Sequence, residues 1–417
     1  MEDKEYMSPG ERLEYVRNKK IKHFVMRIFA VVGITIGMLL AMVLSVLLIV
    51  NYGPSEYAHR VFVKSVKETS AIGFLADWFT TPEELEQIMT ENTIEELDTV
   101  TDTSLIQIGG NTSQENNGGG NSGTQGSESG SESGENGTGS GDDISSSEPG
   151  KNDDGASDDS SNAGTNDTES EEVKPTGGVG YEAEDVVSEE NGIVIVEVSG
   201  ATYKGHMMIV ADPSRVKVGV CQSLGSETGR GQKLSTIIDR YGAVAGINAG
   251  GFADENGSGS GAIPLGYVFS EGKFLYDSGE SSLLIGFDEN HILHVGNMSA
   301  SSAQEKGIRD AVTFGPALII NGEAAGINGA GSGLNPRTAI GQRSDGAVLL
   351  LVIDGRQANS LGASYGDLIK IMQEFGAVNA ANLDGGSSSL MMYKGEQVSN
   401  PANVINNRDL PTAIIVM

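Results

Sequence analysis

The sequence has a single cysteine, Cys221, among 417 residues. One thiol cannot form an intramolecular disulfide or build a cysteine-rich zinc site. Histidine is also rare, and the presence of only five histidines argues against a multi-histidine metal centre. Basic residues are few, because 27 Lys and Arg stand against 57 Asp and Glu, a formal net charge of −30. Binding to nucleic acid phosphates needs a concentrated basic face, so no nucleic-acid partner is expected.

Charged residues are absent from Ile28 to Val50, a run of 23 mostly apolar residues. As an α-helix this run spans ~35 Å, enough to cross the ~30 Å hydrocarbon core of a bilayer. A cleaved signal peptide has a shorter apolar region of ~7–15 residues and a small-residue cleavage site, and the following NYGPSEY offers no convincing site. We therefore predict an uncleaved transmembrane helix over 28–50, with a signal peptide as the alternative.

Basic residues are concentrated before this apolar run. They are Arg12, Arg17, Lys19, Lys20, Lys22 and Arg27. Those close behind it are only Arg60, Lys64 and Lys67. The positive-inside rule then predicts a cytoplasmic segment over 1–27 and places the rest of the chain outside the cell. We expect a single-pass cell-membrane protein with an extracellular C-terminal domain, and the lipid bilayer as one partner.

Residues 51–100 carry helix signals but few apolar residues. Thr81 and Pro82, followed by two glutamates, are typical of a helix start, because a hydroxyl caps the first turn and proline fits its first position. Leu85 and Ile88 follow at helical spacing. The segment is too short for a large core, so we predict an extracellular helical stalk that acts as a spacer. A specific docking module is the alternative.

Aromatic residues are absent from residues 101–180, a tract of Gly, Ser, Asn, Asp, Glu and Thr. It holds 16 acidic residues against two lysines, a net charge of −14. Such a segment cannot bury enough apolar surface to offset the entropy of ordering, so we predict a disordered linker that tethers the C-terminal domain. Calcium binding is a weaker alternative, because the scattered acids lack the spacing of a calcium loop.

Residues 181–417 form a sequence of different character. Apolar β-branched runs recur between clusters of Gly, Asn, Asp and Ser, which is typical of strands and turns. Amphipathic helices are indicated by KLSTIIDRYG and SYGDLIKIMQEFG, each ending at glycine. We predict an α+β fold, with α/β as the alternative. It consists of a single C-terminal domain with a large mixed β-sheet and flanking helices, preceded by one transmembrane helix and the disordered linker.

Two aspartates follow apolar runs in this domain. Asp354 directly follows the apolar run VLLLVI, and Asp384 directly follows AVNAANL. A helix pattern over 364–375 lies between them. Strand, helix and strand are typical of a βαβ unit, whose parallel strands bring both aspartates to one edge of the sheet. Two carboxylates there can supply a nucleophile and an acid or base. The alternative is that each Asp-Gly pair only makes a tight turn.

Groups that can bind an anion lie near these aspartates in the sequence. Arg337, in GLNPRTAIGQ, offers a planar fork suited to a phosphate, although a structural pairing with a carboxylate is the alternative. GGSSS at 385–389 offers N–H and hydroxyl groups that can cradle an anion, or a plain serine-rich turn. Upstream, GINAGGF ends another apolar run with Asn248, Gly250 and Gly251.

A serine hydrolase is the obvious competing interpretation. Ser387 would then need a histidine base, and no histidine follows it in the sequence. Ser387 is also not the centre of a G-x-S-x-G nucleophile elbow, because residue 389 is serine. Cys221 lies in a strand-like VKVGVC pattern, so a structural role is favoured over a nucleophilic one.

Taken together, the motifs of this domain resemble the phosphodiester glycosidase family. The resemblance covers roughly Gly192–Met417. The motifs are GINAGGF, FGPALIINGE, NPRTAIGQ, VLLLVIDGRQ with SLGASYGDL, NAANLDGGSSSLMMY and DLPTAIIV. The family includes an enzyme that removes N-acetylglucosamine from a phosphodiester, and bacterial relatives that are labelled exopolysaccharide biosynthesis proteins. The resemblance implies hydrolysis of a sugar-1-phosphodiester between the anomeric carbon and the phosphate oxygen.

The resemblance also implies which residues form the site. The catalytic residues it implies are Asp354, Asp384, Arg337 and Asn248. For substrate or phosphate binding it implies Arg356, Gly385, Gly386 and Ser387, and to these we add Ser388, Asn335, Gly250 and Gly251 from the same motifs. Which aspartate is the nucleophile or base, and whether the reaction retains or inverts configuration, stays open.

The resulting functional hypothesis is a membrane-anchored extracellular hydrolase of a Gram-positive bacterium. Its substrate would be a phosphodiester-linked glycan of the cell wall or an exopolysaccharide. A non-catalytic glycan-binding or scaffold module for polymer assembly is the alternative. No cofactor is expected, and the metal requirement and the oligomeric state stay open.

Overall fold

The structure is a computed structural model of the chain. It describes residues 8–69, 72–91, 93–108, 177–254, 259–279, 282–400, 402 and 408–417. Most of the linker predicted over 101–180 therefore lies outside the described residues. The α-helices are α1 (Pro9–Tyr52), α2 (Glu56–Lys67), α3 (Pro82–Glu91), α4 (Leu234–Tyr241), α5 (Ala300–Glu305) and α6 (Tyr365–Glu374).

Helix α1 contains the apolar run over 28–50. Its 44 residues are continuous helix, and the large apolar side chains along it, such as Ile34 and Leu44, are exposed. Its length and hydropathy suffice to cross a membrane. The helix therefore fits either a membrane span or a signal anchor.

The segment after α1 builds a small helical layer of its own. Ser55 caps α2 by accepting a hydrogen bond from the Ala58 N–H, and Thr81 accepts one from the Glu84 N–H at the start of α3. The second cap is the one that the Thr-Pro-Glu-Glu pattern predicts. Apolar side chains of both helices meet in a minor core. Its buried members are Val63, Val66, Ala76 and Ile88.

This helical layer also packs on the C-terminal domain, where we expected a spacer. The Glu95 N–H donates to the Gly326 carbonyl at 2.7 Å, and the Gln107 N–H donates to the Ser344 carbonyl at 2.8 Å. Thr101 exchanges hydrogen bonds with the backbone of Val295. Residues 55–108, called the stalk below, therefore lie along the domain surface.

The described part of the C-terminal domain contains 18 strands in three sheets. In chain order they are β1 (Val186–Glu190), β2 (Ile193–Ser199), β3 (Lys204–Val210), β4 (Val216–Val220), β5 (Ala245–Asn248), β6 (Tyr267–Ser270), β7 (Lys273–Asp277), β8 (Ser282–Asp288), β9 (Leu293–Met298), β10 (Ile308–Phe314), β11 (Ala317–Ile320), β12 (Glu323–Ala324), β13 (Arg337–Arg343), β14 (Val348–Ile353), β15 (Ala377–Leu383), β16 (Met391–Tyr393), β17 (Glu396–Gln397) and β18 (Thr412–Val416).

The strand order shows one large sheet and two smaller ones. The large sheet runs β1-β2-β3-β14-β13-β15-β11-β12. The two five-stranded sheets run β7-β6-β10-β8-β9 and β17-β16-β5-β18-β4. The predicted α+β class is therefore confirmed, with a large sheet and flanking helices. The pairings within the large sheet are all antiparallel, where a mixed sheet was predicted.

Strand β14 shows why the central runs of the sequence are almost entirely apolar. All six of its residues are buried. One face, with Leu350, joins the core between the sheets, and the other face, with Leu351, packs against α6 through Leu368 and Met372. Full burial of each such side chain stabilises the fold by ~1.5–3 kcal/mol. A strand covered on both faces needs no polar alternation.

The segment β14–α6–β15 differs in one respect from the predicted βαβ unit. Strand β13 forms a hairpin with β14 and pairs on its other edge with β15, and both pairings are antiparallel. β14 and β15 therefore run parallel to each other with β13 between them. Both aspartates still follow their strands at the same edge of the sheet, two strands apart.

Candidate active site

A polar cavity of about 380 Å³ opens at this edge of the large sheet. Most of its lining side chains are charged or polar, and two phenylalanines and a tyrosine complete the wall. The lining residues are Glu68, Phe252, Asp254, Phe314, Asn335, Arg337, Arg356, Tyr365, Asn382, Asp384, Gly385, Gly386, Ser387, Ser388 and Arg408. Most residues that the family resemblance implies thus surround one cavity, and no histidine is among its described lining residues.

Asp384 stands in the cavity wall directly after β15. Its backbone N–H donates to the Ala249 carbonyl at 2.9 Å, and its own carbonyl accepts from Asn248 Nδ2 at 2.6 Å. Burial raises the pKa of Asp384 to about 6, against the opposing effect of the Ser388 hydrogen bond and the nearby charge of Arg408. A carboxyl group with a pKa near neutrality is suited to proton transfer.

Asp254 and Arg408 supply a second carboxylate and a cation. Arg408 Nη2 lies 2.8 Å from Asp254 Oδ1, and Arg408 Nη1 donates to Ser387 Oγ at 3.3 Å. Burial acts to raise the pKa of Asp254, but the hydrogen bonds from Arg408 and the Gly259 N–H, together with the charge of Arg408, outweigh it, so that pKa is lowered. The cavity therefore contains two carboxyl groups whose pKa values shift in opposite directions, which is typical of an acid–base pair.

Arg337 is held firmly by the protein itself. Its Nη2 donates to Ser332 Oγ and to the Gly333 carbonyl, both at 2.9 Å, and its Nε donates to the Ala363 carbonyl at 3.2 Å. The guanidinium lies 4.3 Å from the centre of the Tyr365 ring. These contacts orient the group and use much of its donor capacity.

Glu68 reaches this arginine from the stalk. Its Oε2 accepts from Arg337 Nη2 at 3.3 Å and from Asn335 Nδ2 at 2.9 Å. Its Oε1 accepts from the Gly333 N–H at 3.1 Å. A carboxylate of the stalk thus occupies the face of Arg337 on which we expected a phosphate.

Arg356 lies on the other side of Asn335. Its Nη2 donates to Asn335 Oδ1 at 3.2 Å and to Thr69 Oγ1 at 3.1 Å. Burial, and next the charge of Arg337, lowers the pKa of Arg356, because two guanidinium groups share a confined space. No carboxylate hydrogen-bonds to Arg356 in the described structure, so it is the better placed of the two arginines for an added anion.

The Gly385–Ser388 turn forms the wall between Asp384 and Arg356. Gly386 has a φ of +61°, a backbone conformation that favours glycine, and a Cβ there would lie in ordinary contact with Arg356 Nη2 at 3.4 Å. We expected the N–H groups of this turn to cradle an anion. The Gly386 N–H instead donates to the Pro336 carbonyl at 2.9 Å, and the Ser388 N–H donates to the Gly385 carbonyl at 3.1 Å.

Asn248 and Asp354 lie behind the cavity wall. Asn248 is 1% exposed, and its Oδ1 accepts from Thr338 Oγ1 at 2.8 Å and from the Leu390 N–H at 3.1 Å. Both carboxylate oxygens of Asp354 accept from Asn400, at 2.8 and 3.0 Å. Burial raises the pKa of Asp354 in spite of these bonds. The catalytic pairing of Asp354 with Asp384 stays a prediction.

Gly250 and Gly251 of GINAGGF follow β5 and allow close packing beside the cavity. The Gly250 N–H donates to Thr412 Oγ1 at 3.1 Å. A Cβ at Gly251 would lie 2.6 Å from the Phe314 ring, which is part of the cavity wall. These glycines shape the wall without lining the cavity themselves.

Three charged residues of the cavity were absent from the sequence-based site: Glu68, Asp254 and Arg408. Asp254 lies two residues after GINAGGF, and Arg408 lies directly before DLPTAIIV, so extending those motifs would have found them. Glu68 follows no motif, and its partner Arg337 is 269 positions away. The described residues contain no cluster of three or more His, Cys, Asp or Glu that could hold a metal ion.

Comparison with known proteins agrees with the motifs. Residues 241–417 match the phosphodiester glycosidase family, which confirms the resemblance. An uncharacterized protein, YomE, derived from the SPbeta prophage of Bacillus subtilis (strain 168), is 29% identical over 194 residues, or 44% of this chain. The matched part is only 29% of the length of that relative.

Two solved structures are also similar. The first is the catalytic domain of zebrafish N-acetylglucosamine-1-phosphodiester alpha-N-acetylglucosaminidase, auto-inhibited by its pro-peptide. It shares 22% identity and a TM-score of 0.45, over 55% of this chain and 84% of that one. The second is a hypothetical protein from Synechocystis, with 19% identity and a TM-score of 0.38, over 54% of this chain and 62% of that one.

Proposed function

We propose that this chain, whose residues 241–417 match the phosphodiester glycosidase family, is a membrane-anchored extracellular hydrolase of sugar-1-phosphodiesters. The sugar is of the N-acetylglucosamine-1-phosphate type, and the substrate belongs to cell-surface glycopolymer or exopolysaccharide metabolism. The observation that carries the proposal is the cavity itself. It combines Asp384, with a pKa raised to about 6, the ionised Asp254, and the guanidinium groups of Arg356 and Arg408.

The two guanidinium groups explain how the cavity would bind the phosphodiester anion. Arg356 and Arg408 stand on either side of the Gly385–Ser388 turn, and Ser387 Oγ bonds to Arg408. Donors fixed in this way stabilise the charge that accumulates on a departing phosphate, without rearrangement during the reaction. Arg337 contributes positive charge behind Asn335, while its own contacts keep it in place.

Asp384 is proposed as the general base. A phosphate ester departs readily from the anomeric carbon, so it needs less help from an acid than an ordinary sugar alcohol does. The demanding step is the attack of water, and Asp384, ionised above pH ~6, can accept its proton. Asp254 then stabilises the positive charge that develops at the anomeric carbon.

Asp354 is proposed as a positioning residue. Its two bonds to Asn400 fix the chain segment after β17, and its backbone N–H donates to the Lys204 carbonyl at 2.9 Å. Asn248 is also proposed as a positioning residue, because its Nδ2 donates to the Asp384 carbonyl at 2.6 Å. Both act on the reaction through the position of other groups.

The test is hydrolysis of a synthetic methyl phosphodiester of N-acetylglucosamine-1-phosphate by the full-length protein in detergent. Free sugar should be released, and the activity should rise as the pH passes ~6, because Asp384 must be ionised. Asp384→Asn should lower kcat by at least ~10²-fold. Asp239→Asn, at an exposed position of α4, is the matched control and should retain the parent rate.

The outcome of this experiment separates the proposal from its alternative. If the parent and Asp239→Asn release sugar and Asp384→Asn does not, catalysis in this cavity is supported. Binding of the diester without any turnover would favour a glycan-binding module. Equal turnover by the parent and a folded Asp384→Asn variant would place the chemistry elsewhere.

A further inference from the structure

A second cavity, of about 610 Å³, adjoins the polar one. Its walls are mostly apolar and come from the end of α1, from α2 and from a loop of the C-terminal domain. Representative members are Val50, Val61, Phe62, Leu334 and Leu361. We call this cavity the apolar groove. Its volume is in the range of cavities that hold small-molecule ligands.

The apolar groove meets the polar cavity at two residues. Asn335 and Arg356 line both. The boundary is built by the stalk, because Thr69 lines the groove and its Oγ1 accepts from Arg356 Nη2 at 3.1 Å. A guanidinium group therefore lies in the wall that the apolar groove and the polar cavity share.

The position of the groove relative to α1 indicates where its outer end opens. Val46 and Val50 line it, and they lie in the last turns of the apolar run over 28–50. Exposed aromatic side chains occur at this end of α1 and in the residues that follow it. They are Tyr52, Tyr57, Phe74 and Trp78. Aromatic residues of this kind are typical of the headgroup layer of a membrane, so the groove opens where acyl chains begin.

We propose that the substrate is a lipid: a sugar-1-phosphodiester whose second ester carries a long apolar chain. The sugar lies in the polar cavity, the phosphate lies against Arg356, and the chain passes through the groove into the bilayer. This inference rests on the proposed function. In the reaction, water adds its oxygen to the anomeric carbon while the bond from that carbon to the phosphate oxygen breaks. The products are the free sugar and a lipid phosphate monoester, and the proton taken from water is released.

The experiment compares two soluble substrates with the same N-acetylglucosamine-1-phosphate headgroup, a methyl and a hexyl phosphodiester. Full-length protein in lipid nanodiscs is assayed with both, and the ratio of the two kcat/KM values is measured. Each additional buried methylene favours binding by up to ~4-fold. Since part of the chain stays exposed, we expect the hexyl ester to be preferred by at least ~10-fold.

Two leucine variants locate the origin of this preference. Leu361→Asp places a charge in the groove and should reduce the hexyl-to-methyl ratio to near one. Leu275→Asp makes the same change at an exposed leucine of β7 and should keep the ratio of the parent. Because the readout is a ratio, a partly unfolded preparation does not imitate the effect.

The outcomes distinguish this inference from the proposed function. Hydrolysis of both esters at equal efficiency would leave the function standing and overturn the lipid substrate. A preference for hexyl that persists in Leu361→Asp would also overturn it, because the chain would then bind elsewhere. If neither ester is hydrolysed, titration of the same nanodiscs with hexyl phosphate and methyl phosphate still measures whether the groove binds the longer chain more tightly. Equal affinity for both would then overturn the inference, and tighter binding of hexyl phosphate would support it.

Discussion

Asp384→Asn should make the protein more stable at neutral pH while it removes activity. The reason is that the pKa of Asp384 is about 6 in the folded protein, above its ordinary value of 3.8, chiefly because the group is buried. A carboxyl group with a raised pKa stabilises the folded state below pH ~4, and this contribution is lost as the pH rises through ~6. Asparagine resembles the protonated form and stays neutral at every pH, so the variant avoids the loss.

The magnitude follows from the shift. From 3.8 to about 6 is roughly two pKa units, and each unit corresponds to ~1.4 kcal/mol. Burying the Asp384 carboxylate at pH ~7 therefore costs up to ~3 kcal/mol of folding free energy. For a domain of this size, ~1 kcal/mol moves Tm by ~2–4 °C, so the variant should melt ~5–10 °C above the parent. At pH ~4 the two should melt together.

The assay is thermal unfolding of the full-length protein in detergent, followed by circular dichroism at both pH values. Asp254→Asn is the matched control, because the pKa of Asp254 is lowered and its carboxylate stabilises the folded state. That variant should melt below the parent at neutral pH, and the difference should shrink in acid. If Asp384→Asn melts below the parent at neutral pH, burial does not dominate at Asp384 and the assignment of a base fails.

Three further substitutions and one proteolysis experiment test other parts of the structure. Arg337→Lys should lower Tm by several degrees and raise KM, because lysine cannot reproduce the contacts with Ser332, Gly333 and Ala363; an unchanged Tm would contradict this. Gly386→Ala should cost ~1–2 kcal/mol at its φ of +61°, and a parent-like urea midpoint would be evidence against that backbone conformation. Asp354→Asn should lower kcat less than Asp254→Asn does, whereas a loss of ~10²-fold in a folded Asp354→Asn would restore the predicted pair. Protease added to intact cells should cut within residues 109–176 and leave the C-terminal fragment with the membranes, because the stalk holds it; protection until the cells are permeabilised would show that the orientation is wrong.

Local patterns in the sequence predicted much of the fold. The continuous apolar run of β14 indicated a strand covered on both faces, and the capping pattern before α3 marked its first residue. The shared edge of Asp354 and Asp384 followed from counting one helix between two strands. What this reasoning missed was β13, since a hairpin partner inserted between parallel strands leaves no local signal in either strand.

The candidate site was predictable only where motifs carried it. Gly386 and Asp384 lie in one short motif, and the structure places both in the cavity wall. The role of Asp354 could not be read from its neighbours, because Asn400 approaches it from 46 positions away. Glu68 was hidden for the same reason, since its partners are distant in the chain and close only after folding. Periodicity and capping report on nearby residues, whereas ion pairs across a cavity depend on tertiary packing.

The contacts of the stalk change what the long acidic segment can do. Before the segment, the Gln107 N–H donates to the Ser344 carbonyl, and after it the Tyr181 ring stacks on Phe375 at 6.2 Å between centroids. Both ends of the segment are therefore attached to the same body. Under the proposed function, the length of this segment would therefore not set the height of the polar cavity above the bilayer. That height would be set by the few residues between α1 and α2, which would hold the cavity at a constant distance from the membrane surface.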